Sequence, residues 1–117
     1  MKYLVVDDSK LARLSLLKSL KAHIGEEEIF QATNGEEAIK VMLQEKVQVV
    51  FLDLTMPIMD GYEALPKLLE INRQAKIVVV SADIQQKAKE RVIALGAKLH
   101  IQKPINSDKI KDILDLI

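Results

Sequence analysis

Residues 47–53 read VQVVFLD, an apolar run that ends in an aspartate. Three other runs have the same form: KYLVV before Asp7 and Asp8, KIVVV before Ser81, and KLHIQ before Lys103. Runs of β-branched residues like these are typical of strands that are buried on both faces of a parallel sheet. Ligands of such sheets bind outside the carboxyl ends of the strands. We therefore expect the polar side chains that follow the four runs to meet in one crevice at one edge of the sheet.

Helical segments alternate with these runs, and a fifth strand is expected near Glu28–Ala32. Five β–α units in strict alternation predict an α/β fold, a doubly wound five-stranded parallel sheet with right-handed crossovers and helices on both faces. The pattern itself gives no strand order. A crevice at the topological switch point nevertheless requires the strands before Asp7 and Asp53 to be neighbours.

Capping and turn residues predict where the helices begin and end. The first helix should cover residues 9–24 and end at Gly25, and the third should cover about 63–72 with Pro66 in its first turn. The other three helices should begin at Asn34 (capping box with Glu37), at Asp83 (with Gln86, ending at Gly96), and at Asn106 or Ser107. The residues expected to face the core are Leu14, Leu17, Leu20, Ile39, Met42, Leu43, Ile84, Ala88, Val92, Leu95, Ile110, Ile113, Leu114 and Ile117.

Composition limits the function classes. The 117 residues form one expected domain, residues 1–117, and its 17 basic and 17 acidic residues give no net charge to attract nucleic acid or a membrane. Without cysteine there can be no disulfide and no thiolate metal site. No apolar stretch is long enough to span a membrane, and the first strand begins too close to Met1 for a signal peptide. We therefore expect a soluble cytoplasmic protein that binds neither DNA nor lipid directly.

Three carboxylates are expected in the crevice. Asp7 and Asp8 alone are explained equally well as the N-cap and first-turn acid of a helix. Asp53 at the same edge makes that explanation weaker, because close carboxylates raise one another's pKa values unless a cation compensates. Oxygen ligands without sulfur or paired histidines favour Mg²⁺ or Mn²⁺.

Asp53 opens the segment D-L-T-M-P-I-M-D-G, in which it could be a simple turn or N-cap aspartate. Alternatively, it is a nucleophile that accepts a phosphoryl group and becomes an acyl phosphate. Phosphoryl transfer depends mainly on positioning and charge neutralisation, which a cation, Lys103 and the Ser81 hydroxyl would supply together. A cis bond between Lys103 and Pro104 would direct the ammonium into the crevice.

The joint pattern resembles the receiver domains of two-component response regulators. The motifs are D-D-S after the first strand, D-x-x-M-P-x-M-D-G after the third, S-A after the fourth, and L-G-A followed by K-P around the fifth. The resemblance implies the strand order 2-1-3-4-5, which also occurs in the chemotaxis member of this family. It also implies a two-component signalling switch, such as that of chemotaxis, which catalyses only its own phosphorylation and dephosphorylation.

The resemblance further implies individual roles. Asp53 would accept the phosphoryl group from a sensor histidine kinase, a phosphotransfer protein or a small acyl phosphate. Asp8, Asp53 and the Thr55 backbone carbonyl would bind Mg²⁺ directly, and Asp7 would bind it through water. The phosphoryl oxygens would be bound by Ser81 and Lys103. A downstream protein would bind the face formed by the fourth helix, fifth strand and fifth helix.

Two departures from the family pattern and two variable positions affect the lifetime and output of the switch. Ser81 stands where threonine is commoner, so the hydroxyl is kept and a methyl group is lost. His100 occupies the switch position, three before the lysine, where tyrosine or phenylalanine is usual; it could also be an ordinary edge-strand residue. Thr55 and Asp83 occupy variable positions that influence hydrolysis of the acyl phosphate.

Three other functions were considered. The chain could be the receiver of a longer DNA-binding response regulator, although it contains no recognition helix or basic stripe. A phosphatase of the aspartate-nucleophile type would carry a general-acid aspartate at position 55, where this chain has Thr55. A flavodoxin would need phosphate-binding donors in the first loop, where Asp7 and Asp8 would repel the anion.

Overall fold

The computed structural model describes residues 1–25, 27–82 and 85–117, and in these ranges five parallel strands alternate with five helices. The strands are β1 Lys2–Val6, β2 Glu28–Ala32, β3 Val49–Leu52, β4 Lys76–Ser81 and β5 Leu99–Gln102. The helices are α1 Lys10–Ile24, α2 Gly35–Gln44, α3 Gly61–Ile71, α4 Gln86–Ala94 and α5 Ser107–Leu116. Within these ranges, no helix is both long and apolar enough to cross a membrane.

The sheet has the order β2-β1-β3-β4-β5, which confirms the predicted order and the doubly wound fold. The strands before the two predicted aspartate sites are neighbours, because β1 pairs with β3 and Val6 lies opposite Leu52. The ladder continues beyond this pair, since the Asp53 amide donates to the Val6 carbonyl at 2.9 Å. Asp7 and Asp53 therefore leave the sheet side by side at its topological switch point.

The strand side chains alternate between two cores, one on each face of the sheet. Leu4, Val6 and Leu52 belong to the core that α2, α3 and α4 cover. Tyr3 and Phe51 belong to the core that α1 and α5 cover. Burial on both faces explains why the strands are apolar throughout rather than alternating with polar residues.

Two predicted core residues are exposed. Leu14 of α1 is 48% exposed and Leu43 of α2 is 68% exposed. Three residues turn a helix by about 300°, which is about 60° short of a full turn. Each three-residue step in the predicted series of α1 therefore moves the side chain by about 60° around the helix, and Leu14 lies off the buried face. The other two predicted residues of α1, Leu17 and Leu20, are buried, and the partly buried Leu16 and Ile24 pack on the same core as Leu20. The prediction was therefore wrong for Leu14, and for Leu43, which lies next to the buried Met42 in the final turn of α2.

Helix α3 begins two residues earlier than predicted. Asp60 is its N-cap, and the Asp60 side chain accepts a hydrogen bond from the Glu63 amide at 2.9 Å. Pro66 consequently lies inside the helix, beyond the first turn, and the prediction of a first-turn proline was wrong. Its missing N–H leaves the Tyr62 carbonyl without an intrahelical donor.

The predicted caps Asn34 and Asn106 are confirmed, and Ser9 is the cap of α1. Ser9, Asn34 and Asn106 accept hydrogen bonds from amides in the first turns of α1, α2 and α5. Gly25 and Gly96 follow α1 and α4 with φ values of 66° and 111°, which suit glycine. The predicted start of the fourth helix at Asp83, with Ile84 inward, lies outside the described residues.

Candidate functional site

The three predicted carboxylates meet at the carboxyl edge of the sheet. Asp7 follows β1 and Asp53 follows β3, and they are only 6% and 7% exposed, whereas Asp8 is exposed. One carboxylate oxygen from each of the three lies within 4.8 Å of the others. The convergence follows from the pairing of β1 with β3, since each aspartate continues its strand by one or two residues.

Lys103 contacts two of these carboxylates. Its Nζ lies 2.7 Å from Asp7 Oδ2 and 3.2 Å from Asp53 Oδ1. The Lys103 amide donates to the Ser81 carbonyl at 2.9 Å, which ties the start of the loop between β5 and α5 to the end of β4. The Lys103–Pro104 peptide bond is cis. The Lys103 ammonium therefore has a defined position between Asp7 and Asp53.

Burial and charge determine the ionisation of the central pair. Burial raises the pKa of Asp53, the charge of Asp7 raises it further, and the contact with Lys103 offsets only part of this rise. Burial works to lower the pKa of Lys103, but the hydrogen bond to Asp7 and the charges of Asp53 and Asp7 outweigh it, so this pKa is raised. The lysine therefore stays charged and does not by itself neutralise the crevice, which holds three carboxylates and one ammonium.

The donor set fits a small divalent cation. Hard carboxylate oxygens are the ligands that Mg²⁺ prefers, and Asp8 and Asp53 would each supply one at about 2.1 Å, whereas Asp7 would reach the ion through a water. Three carboxylate oxygens within 4.8 Å of one another are close enough to surround one such ion and its water. The cluster contains no histidine or sulfur that would favour zinc or copper.

Ser81 and Thr55 border this cluster. Ser81 is the last residue of β4, lies between β3 and β5 at the carboxyl edge, and is buried. Thr55 is two residues beyond Asp53 and is exposed. Both predicted residues therefore lie at the edge that carries the acidic cluster.

His100 is not part of the crevice. It lies within β5 opposite Val79, is half-buried, and lines a groove between β5 and α5 with Ile113 and Leu116. Thr55 and Asp83 are the two predicted modulating positions. Thr55 borders the acidic cluster, and Asp83 lies outside the described residues.

Sequence reasoning missed one residue that contacts the site. Arg13, in the first turns of α1, donates from Nη1 to the backbone carbonyl of Asp7 at 2.7 Å. It also donates from Nε to Gln31 Oε1 of β2 at 3.1 Å. The only sequence feature that points to Arg13 is its position one turn after the acidic loop. That feature does not show which backbone carbonyl the arginine binds.

Known proteins resemble this chain in sequence and in fold. Residues 3–115 match the family model described as the response regulator receiver domain. The chain is 36% identical to the chemotaxis protein CheY of Thermotoga maritima, over 97% of this chain and 94% of the relative. It is 35% identical to sporulation initiation phosphotransferase F of Bacillus subtilis, over 95% and 88% of the two chains.

Solved structures agree with these sequence relatives. CheY in the CheX–CheY–BeF₃–Mg²⁺ complex from Borrelia burgdorferi superimposes with a TM-score of 0.91 at 29% identity, covering 97% of this chain and 86% of that one. The chain therefore belongs to the family of response regulator receiver domains and is a CheY-like signalling domain of a two-component system.

Proposed function

We propose that this receiver domain accepts a phosphoryl group on Asp53 in a Mg²⁺-dependent reaction, with Mn²⁺ as a substitute, and that the phosphorylated form binds a different protein partner. The observation that carries the proposal is the placement of Asp53. It is a nearly buried carboxylate with an ammonium 3.2 Å away and two further carboxylates within 4.8 Å. A nucleophile, a cation site and a fixed positive charge thus occupy one crevice.

The transfer requires one bond to form and one to break. An Asp53 oxygen would form the new O–P bond while the bond between phosphorus and the leaving group of the donor breaks, and the leaving group keeps the electron pair. The donor would be a phosphohistidine of a sensor kinase or phosphotransfer protein, or a small acyl phosphate. When bound by Asp8, Asp53 and the Thr55 carbonyl, with Asp7 acting through water, the cation would neutralise charge that spreads over the phosphoryl oxygens.

Residues of the chain complete this neutralisation. Lys103 Nζ already lies beside the nucleophilic carboxylate, so it would meet a phosphoryl oxygen after a small shift away from Asp7. The Ser81 hydroxyl would donate to a second oxygen from the end of the neighbouring strand. Burial and the charge of Asp7 raise the pKa of Asp53, which makes the unliganded carboxylate a stronger base than a free aspartate, and the contact with Lys103 limits this rise.

Intact-mass measurement tests the acceptor. Wild type incubated with Mg²⁺ and acetyl phosphate should gain one phosphoryl group, and Asp53→Asn should gain none. Asp60→Asn is the matched control, because Asp60 lies in the same loop, caps α3 and takes no part in the acidic cluster. This control should be labelled like wild type. Undiminished labelling of Asp53→Asn would refute the assignment, and labelling that is equal in EDTA would refute the role of the cation.

The output surface is proposed to be the face formed by α4, β5 and α5. A phosphoryl group adds about 1.5 to 2 negative charges near the end of β4. Ser81 would move toward it and leave space for the side chain at position 100, which lies one strand away in β5. NMR spectra with beryllofluoride and Mg²⁺ should therefore show amide shifts in β5 and α4 that exceed those in α2, and His100→Tyr should preserve them. Shifts confined to the crevice would contradict this output face.

A further inference from the structure

Asp7 is fixed by hydrogen bonds on every side. Its amide donates to the Ala32 carbonyl at 3.1 Å, which extends the β1–β2 ladder by one residue. Its carboxylate accepts from the Ser9 amide at 2.9 Å and from Lys103 at 2.7 Å. Its carbonyl accepts from Arg13 Nη1 at 2.7 Å, the shortest length expected of a charge-assisted bond.

Asp8 is fixed much less directly. Its carboxylate is exposed, and no side-chain hydrogen bond to it occurs among residues 1–25, 27–82 and 85–117. The Asp7 carbonyl and the Asp8 amide belong to one planar peptide unit, so the donor that holds the carbonyl also sets the direction in which Asp8 leaves the backbone. In the described chain that donor is Arg13.

Arg13 is itself held in place from β2. Its Nε donates to Gln31 Oε1 at 3.1 Å, and Gln31 lies opposite Val5, two residues before Asp7. With both Nε and Nη1 engaged, the planar guanidinium is fixed between the edge strand and the first loop. An ammonium at this position could hold one of these acceptors but has no rigid fork with which to hold both.

We propose, on the basis of the cation-dependent function above, that Arg13 is a positioning residue for the metal site. It holds the Asp7–Asp8 peptide unit so that the Asp8 carboxylate points toward Asp7 and Asp53 before a cation arrives. Gln31 supports this role by orienting the guanidinium. The edge strand β2, which contributes no ligand, thereby influences cation affinity.

Replacement of Arg13 should change the cation affinity in one direction if Arg13 acts through its charge and in the opposite direction if it positions Asp8. Removal of a positive charge near a cation site should by itself strengthen cation binding, because a like charge is lost. Removal of the donor that orders Asp8 should weaken it, and partners that orient metal ligands typically contribute about tenfold or more in affinity. The direction of the change therefore distinguishes the two effects.

The experiment is isothermal titration of the unphosphorylated protein with MgCl₂, in the absence of any phosphoryl donor. Arg13→Met should weaken Mg²⁺ binding about tenfold, and Arg13→Lys should recover part of the loss. Lys10→Met is the matched control, because it removes a positive charge from the same end of α1 without touching the loop, and it should leave affinity unchanged or tighter. Affinity of Arg13→Met equal to or tighter than wild type would overturn the proposal.

A second variant covers the case in which Arg13→Met folds poorly. Gln31→Met changes no charge and leaves Arg13 in place, and it should weaken Mg²⁺ binding by a smaller factor in the same direction. Unchanged affinity in Gln31→Met would refute the role of β2.

Two further measurements separate positioning from general damage. In EDTA, exchange of the Asp8 amide hydrogen should be faster in Arg13→Met, while amides of β3 and β4 remain as in wild type. Labelling of Arg13→Met with acetyl phosphate should need more Mg²⁺ but reach nearly the wild-type rate at saturation.

The titrations also separate failure of the two proposals. If wild type itself binds no Mg²⁺, the proposed function fails. If wild type binds Mg²⁺ and Arg13→Met binds it equally well, only the role of Arg13 fails.

Discussion

Replacement of Asp53 by asparagine is expected to stabilise the metal-free protein. An oxygen of Asp53 lies within 4.8 Å of oxygens of Asp7 and Asp8. At an effective dielectric constant of about 20, each such pair of charges repels by about 3.5 kcal/mol. Lys103 at 3.2 Å attracts the same carboxylate by about 5 kcal/mol on that scale. Solvent screens much of the repulsion from the exposed Asp8, so the charge interactions nearly cancel, and the cost of burying the Asp53 charge decides the sign. We expect the variant to gain about 1–2 kcal/mol.

The raised pKa of Asp53 also predicts that Asp53→Asn is more stable than wild type. An acid that binds its proton more tightly when folded destabilises the native state once it ionises, so the cost is absent at low pH and develops as the pH rises through the folded-state pKa. Asparagine cannot ionise, so Asp53→Asn does not lose this folding free energy. The advantage of the variant should therefore grow as the pH rises above about 4, the pKa of an unfolded aspartate, and vanish below it.

Thermal melts in EDTA measure this effect. For a domain of 117 residues, a gain of about 1–2 kcal/mol raises the melting temperature by about 4–8 °C. Asp60→Asn serves as control and should melt like wild type, because asparagine caps a helix as well as aspartate does. Mg²⁺ at about tenfold excess over its dissociation constant should add about 1.4 kcal/mol to wild type and less to Asp53→Asn.

Two results would refute the reasoning. Equal melting temperatures of wild type and Asp53→Asn in EDTA near neutral pH would show that the carboxylates do not repel as the distances require. A variant advantage that stays constant down to about pH 4 would show that its origin is not ionisation.

Three other substitutions have defined outcomes. Gly61→Ala should destabilise the fold by about 1–3 kcal/mol in denaturant titration and slow labelling, because a Cβ there would contact the backbone carbonyl of Asp53. Ile58→Gly should stabilise by about 1 kcal/mol, since Ile58 is 75% exposed and has φ 68°, whereas Ile58→Ala, which keeps the Cβ, should not. Lys103→Met should destabilise the metal-free protein by about 2 kcal/mol, because it leaves the carboxylates of Asp7 and Asp53 without their counterion; equal unfolding free energies would contradict that.

The sequence by itself determined the architecture and the composition of the site. Buried strands of a parallel sheet must be apolar on both faces, so the runs before Asp7, Asp53, Ser81 and Lys103 could be recognised without coordinates. Because parallel strands end at one edge, the polar residues after them had to converge. Local cap chemistry also predicted the helix starts at Asn34 and Asn106, since a cap needs only its nearest neighbours in sequence.

Tertiary structure alone decided the contacts within the site. Lys103 and Asp7 are 96 positions apart and meet because β5 and β1 end at the same edge and the loop after β5 turns back across it. The bond from Arg13 to the Asp7 carbonyl depends on the rotation of α1 about its axis, and the exposure of Leu14 depends on the same angle. That angle is set by packing against the sheet and α5, so hydrophobic spacing read in steps of three could not give it.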